Sequence, residues 1–219
     1  MCEFNRLCAD KQENYKKHLK NIPYKGIIII NIFSEVERLG TKKNRFVYDI
    51  AVTALFTAVI AICAWITVNI PIGVVPFTMQ TFGVLCAAGI LGAKRGTAAV
   101  AVYILIGAVG LPVFSGFKGG IGSILGPTGG FILGFLLTAL LVGFVVDKFG
   151  RKLLIIISAM IAGVLLCYTV GVVWFMFVYD SGKGLGGALM TCVVPFLIPD
   201  ALKILAASIV VNRVSKYVK

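Results

Sequence analysis

From Tyr48 onward the sequence alternates long apolar runs with short turns that are either basic or rich in glycine and proline. The runs cover about 48–68, 77–91, 97–109, 131–146, 153–174 and 199–214. The first reads "YDIAVTALFTAVIAICAWITV" and stops at "NIPIGVVP", where two prolines break a helix. Long runs with almost no charge have one economical home, the hydrocarbon core of a bilayer, where a helix satisfies its own backbone groups. The second and third runs are short for a crossing of about 20 residues, so they either recruit flanking residues or sit shielded by neighbouring helices. A soluble helical core would need polar faces that these runs lack. The expected fold is an all-α membrane protein with six transmembrane helices.

Composition and charge sharpen this picture. Hydrophobic residues make up 59% of the chain and charged residues only 14%, and the mean hydropathy of +0.98 exceeds what a water-facing surface tolerates. The net charge of +12 is unevenly placed: ten of the 21 basic residues precede the first long run, and most others sit in turns such as "GAKRG" and "DKFGRK". Such a distribution suits a cytoplasmic surface beside anionic lipid and gives no stripe for nucleic acid. The turns on the other side are nearly uncharged, carrying only Lys118 and the pair Asp180 and Lys183. Six crossings with both termini cytoplasmic place every basic segment inside.

Two regions result: a cytoplasmic basic segment over 1–47, surface-helical or partly disordered, and a six-helix domain over 48–216. The N-terminal segment is not a secretory signal, because its apolar stretch "GIIIINIF" is short and leads into "SEVERLG" instead of a small-residue cleavage site. The six cysteines form no CxxC pair, and the single histidine, His18, lies in the N-terminal segment. A metal site is therefore not expected, and no catalytic Ser/His/Asp group can be assembled. The chain also lacks a GKS or GKT phosphate loop, so ATP-driven work would need another subunit.

The residues that stand out are in "VVPFLIPDALKIL" (193–205), where Asp200 and Lys203 interrupt an apolar run just after Pro199. Three residues apart, they share a helical face. Asp200 falls in a first turn, where free N–H groups and the helix dipole favour a carboxylate, with Lys203 about one turn deeper. An ionisable pair at that depth faces a protein or water-filled interior. It either braces the helix as a salt bridge or offers acceptors and a cation to an anionic, amide-like or ureido-like ligand. The connection "SGFKGGIGSILGPTGG" has seven glycines in sixteen residues, which lets the backbone bend close to a ligand. Phe114 and Phe117 nearby form either an apolar wall of a pocket or ordinary interfacial packing. "NIPIGVVP", this connection and "PFLIPD" all fall on the outer side, as an outward-opening solute pocket requires. In the first run Ala54 and Ala58 make an AxxxA strip, open to three readings: an internal contact, a lipid-facing accident or a docking strip for a membrane partner.

Four segments carry a resemblance: "VPFTMQTFGVLCAAGILGAKRG" (75–96), "YILIGAVGLPVFSG" (103–116), "LGPTGGFILGF" (125–135) and "VVPFLIPDALKILAA" (193–207). In this order they resemble the BioY family, the biotin-specific substrate-binding membrane component of energy-coupling factor transporters, over roughly 48–216. The resemblance implies a multi-pass protein of the bacterial cytoplasmic membrane that holds biotin near the extracellular face, with no catalytic chemistry and no cofactor. It implies polar contacts to biotin from Asp200 and Lys203 and ligand contacts from Phe114 and Ser115. It also implies docking of Ala54 and Ala58 against an EcfT-like transmembrane coupling protein, with two EcfA-like cytoplasmic ATPases as further partners. One departure is "FLIPD", where many relatives carry a glycine beside the aspartate. A component for another vitamin, or a membrane scaffold without a small ligand, would share the general architecture.

Overall fold

The computed structural model describes residues 45–68, 76–178 and 184–215. The sequence readings for residues 1–44, most of "NIPIGVVP" and the pair Asp180 and Lys183 lie outside the described residues. The chain divides into two units, Met1–Val52 and Thr53–Lys219. Of the first, only the opening of α1 (Arg45–Trp65) is described. The second holds everything else: a two-residue pairing of β1 (Thr67–Val68) with β2 (Phe77–Thr78), then α2 (Gln80–Ala108), α3 (Ile121–Leu125), α4 (Gly129–Phe149), α5 (Leu153–Val178), α6 (Gly184–Cys192) and α7 (Leu197–Val214).

Five helical stretches among the described residues are long and apolar enough to cross a membrane, α6 and α7 being joined in one of them. The sequence counts six because it separates the second and third runs by the whole turn "GAKRG". In the structure that turn contracts to one residue. Gly92 has φ 79° and ψ −173°, outside the helical region, while residues on either side stay helical. A Cβ added to Gly96 would fall 2.9 Å from the Ala88 Cα, although eight residues of straight helix span about 12 Å. The two halves of α2, 80–91 and 93–108, therefore double back on each other.

The fold-back has side-chain partners in "DKFGRK". The Asp147 carboxylate accepts the Ala93 N–H at 2.8 Å, capping the second half, and Arg151 Nη2 donates to the Ile90 carbonyl at 2.9 Å, closing the first. Each charge also meets the matching end of a helix dipole. Read from sequence, these residues were only a basic turn; their charges hold the hairpin bend of another helix.

The first half of α2 resolves how a short apolar helix is accommodated. Every residue from Gly83 to Gly92 is buried, so this half is surrounded by protein instead of lipid. Small residues permit that close fit: Gly83 lies against Ile60 and Cys63 of α1, and Gly89 against Val211 of α7. Polar side chains tie the remaining helices. Thr57 Oγ1 donates to the Ala99 carbonyl at 3.0 Å or to that of Thr53 at 2.9 Å, and Thr138 Oγ1 donates to the Gly163 carbonyl at 2.8 Å.

The last helix also starts earlier than the prolines suggest. A 3-10 turn over Val194–Phe196 leads into α7 at Leu197, so Pro199 is its third residue. Its missing N–H would have had no intrahelical partner there, and the helix runs through it. Asp200 remains in the first turn.

Candidate ligand-binding site

A cavity of about 330 Å³ lies where β2, the connection after α2, the first turns of α4 and α7, and the middle of α5 meet. This is at the lower end of the ~300–1,000 Å³ typical of small-molecule sites. Its apolar wall comes from Phe131, Ile132 and Phe135 of α4, Val164 of α5, and Phe114 and Phe196. All three stretches expected on the outer side contribute, through Pro76, through Phe114 to Thr128, and through Phe196 and Asp200.

Asp200 and Lys203 are each only 5% exposed. Lys203 Nζ donates to Asp200 Oδ1 at 2.7 Å and to the Thr78 carbonyl at 2.6 Å, and it sits 4.1 Å from the centre of the Phe77 ring. Phe77 stacks in turn on Phe196, with centroids 6.5 Å apart. An ammonium has three N–H groups; two are committed to oxygens here and the ring face stabilises the charge. The other carboxylate oxygen, Asp200 Oδ2, accepts the Tyr168 hydroxyl at 2.5 Å. A carboxylate offers about four acceptor sites. With two used, Asp200 keeps acceptor capacity for a ligand N–H, whereas Lys203 is largely spent.

The Gly-rich connection forms the mouth. Tyr103 Oη donates to the Val113 carbonyl at 3.0 Å, and its ring meets Phe114 edge-on, which fixes Phe114 with 3% exposure against Gly107. Ser115 lines the cavity and its hydroxyl shares a hydrogen bond with Thr67 at 3.2 Å. Trp65 Nε1 donates to the Pro112 carbonyl at 2.8 Å, and Trp174 Nε1 to that of Gly126 at 3.0 Å, tying both ends of the connection to helices. Of the two readings for Phe117, the structure has ordinary packing and not a cavity wall. It is 62% exposed, has a φ of 58° and stacks on Trp65 at 5.1 Å.

Asp200, Lys203, Phe114 and Ser115 thus line one cavity. Ala54 and Ala58 do not; they are exposed together on α1, on the face away from the buried Phe56, Ile60 and Ala64. Sequence reasoning passed over Tyr168, Thr78, Phe77 and Gln80. Gln80, the first residue of α2, lines the cavity with 4% exposure, and its Nε2 is buried with no hydrogen-bond partner among the described residues. Its signal was a lone amide inside "PFTMQTFG"; Tyr168 had only a hydroxyl in an apolar run.

The sequence profile described as the BioY family matches residues 35–219. The chain belongs to the BioY family. Among its relatives, a biotin transporter BioY from Thermotoga maritima is 42% identical over 163 residues, covering 74% of this chain and 92% of that protein. A probable biotin transporter BioY from Pyrococcus horikoshii is 37% identical over 165 residues, covering 75% and 94%. The fold is also similar to the crystal structure of an S-component for biotin from an ECF-type ABC transporter, with TM-score 0.74 and 30% identity over 81% of this chain and 95% of that one. Family and fold are those of a membrane transporter component, not of an enzyme. The profile begins upstream of the six-run pattern, taking in residues 35–47.

Proposed function

We propose that this BioY protein captures biotin at the outer face of the bacterial cell membrane and delivers it inward as the substrate-binding component of an energy-coupling factor transporter. The observation that carries the reading is the buried Asp200, held by Tyr168 and Lys203 at the wall of an apolar cavity with acceptor capacity to spare. Biotin presents a ureido ring with N–H donors on an apolar bicycle, which matches that wall. No bond is made or broken and no cofactor is invoked; biotin is cargo. Mass spectrometry of what co-elutes with gently purified protein tests this, with biotin expected. Another vitamin in its place, or no ligand even after titration with biotin, would defeat the reading.

The hairpin of α2 supports six crossings with both termini cytoplasmic: its bend is held by Asp147 and Arg151 at a basic turn, and the cavity lies at the other end of the helices. Uptake against a gradient needs energy that binding cannot supply. The partners in this reading are an EcfT-like coupling protein in the bilayer and two EcfA-like ATPases.

Docking to the coupling protein is assigned to the exposed strip of Ala54 and Ala58, whose small side chains let a second helix approach closely. Ala58→Trp is expected to abolish co-purification with the coupling protein and to leave biotin affinity within about twofold, since Ala58 is exposed and does not line the cavity. Recovery of an intact complex would count against this surface.

A further inference from the structure

We propose that the hairpin-bend end of the protein binds an anionic phospholipid, with the headgroup phosphate on Lys148 and Lys152, Lys94 beside them, and an acyl chain laid along α4. Phe131 lines the cavity near the start of α4, and Lys148 is in its last turn, about 25 Å along the helix. The surface is therefore separate from the cavity and does not depend on what fills it.

The bend at Gly92 gathers charges that lie far apart in the sequence. Asp147 and Arg151 are drawn to it by their bonds to Ala93 and Ile90, which brings Lys148 and Lys152 along and sets them near Lys94. The last turn of α7 adds Arg213, since Val211 packs on Gly89 just before the bend. Among the described residues of Thr53–Lys219, Asp147 is the single carboxylate at this end, and the Ala93 N–H already engages it. Lys94, Lys148 and Lys152 are exposed and make no ion pair among the described residues. Cations gathered this way repel one another, and a bound anion relieves that repulsion.

The apolar surface leading up to these cations selects a lipid over a soluble phosphate or an acidic protein. Leu133, Leu137, Leu140 and Phe144 are exposed on α4, and Lys148 takes the next place on the same face, at spacings of four, three, four and four residues. This stripe runs along a helix apolar enough to cross a membrane. Lys148 Nζ lies 5.6 Å from the ring centres of both Phe144 and Phe149, so its stem covers apolar surface while the ammonium stays at the boundary. Leu153 and Leu154 continue the exposed apolar surface past Lys152. An acyl chain lying on the stripe therefore ends with its phosphate among the lysines. A zwitterionic headgroup would bring a further cation into the cluster and is disfavoured.

Native mass spectrometry of the full-length protein, released from mixed micelles holding equal amounts of phosphatidylglycerol and phosphatidylcholine, tests the site. Wild type is expected to retain about tenfold more phosphatidylglycerol, and Lys148→Gln combined with Lys152→Gln to bring the two lipids within about twofold. Lys118→Gln, which removes a cation at the cavity end, is expected to keep the wild-type preference. Arg151 is left in place because it closes the hairpin, and an unchanged unfolding temperature shows that the double variant is folded. Should it not fold, Lys94→Gln combined with Lys148→Gln is read in the same way. Glycerol 1-phosphate in large excess is expected to leave the retained lipid in place. The proposal is overturned if wild type shows no preference, if the double variant keeps it, or if glycerol 1-phosphate displaces the lipid. A double variant that keeps the lipid preference yet no longer co-purifies with the coupling protein would give this surface to a protein partner instead.

Discussion

Replacing Asp200 by asparagine is expected to lower biotin affinity about ten- to a hundredfold, while the protein still folds. The substitution keeps shape but removes the charge that organises the site. Tyr168 and Lys203 both donate to the carboxylate, and an amide has a single acceptor atom to answer them. A hydrogen bond to a charged group is worth roughly 1.5–3 kcal/mol, which sets the size of the loss. Lys203→Met should act differently. It strands Asp200 in a buried position with Tyr168 as its remaining partner, and removing one member of a buried pair costs about 3–5 kcal/mol. Its main effect is therefore expected in the unfolding temperature of the ligand-free protein. The double variant Asp200→Asn with Lys203→Met should recover part of that stability and none of the affinity. Calorimetric titration and thermal unfolding of the three purified variants separate the alternatives. Unchanged affinity in Asp200→Asn would reduce the pair to a brace between α7 and its neighbours.

The second large effect is on the fold. Gly92→Val is expected to destabilise the protein by about 2–4 kcal/mol, because the φ 79°, ψ −173° conformation is essentially restricted to glycine. A Cβ there would also run into the Asp147 carboxylate that caps Ala93, so the cap is lost with the bend. Gly122→Ala is the control. Gly122 sits in α3 with nothing near its missing Cβ, and the change is expected to be neutral or slightly stabilising. Thermal unfolding in detergent compares them; a Gly92→Val protein as stable as wild type would mean that the hairpin does not depend on this residue.

The two predictions lie on either side of what the sequence could disclose. Asp200 and Lys203 were legible because a carboxylate and an ammonium in an apolar run have no cheap surroundings except each other or a polar cavity, and their spacing puts them on one helical face. Gly92 was legible only as part of a loop. A glycine between two apolar runs announces a break, but the Asp147 and Arg151 groups that let it shrink to a single residue lie more than 50 positions away.

The sequence by itself determined the membrane class, the apolar helical runs and the pair at the head of α7. Each of these depends on local composition, since the transfer of a run into lipid is the sum of its own residues. Only the tertiary structure decided which groups complete the site. Tyr168 meets Asp200 across 32 positions, and Lys203 meets the Thr78 carbonyl across 125. It also decided that Phe114 turns inward while Phe117 turns out onto Trp65, and that Gln80 keeps a buried donor with no acceptor among the described residues. Those outcomes follow from how neighbouring helices pack and where the backbone bends. A lone hydroxyl or amide in an apolar run carries no record of the partner that packing will bring to it.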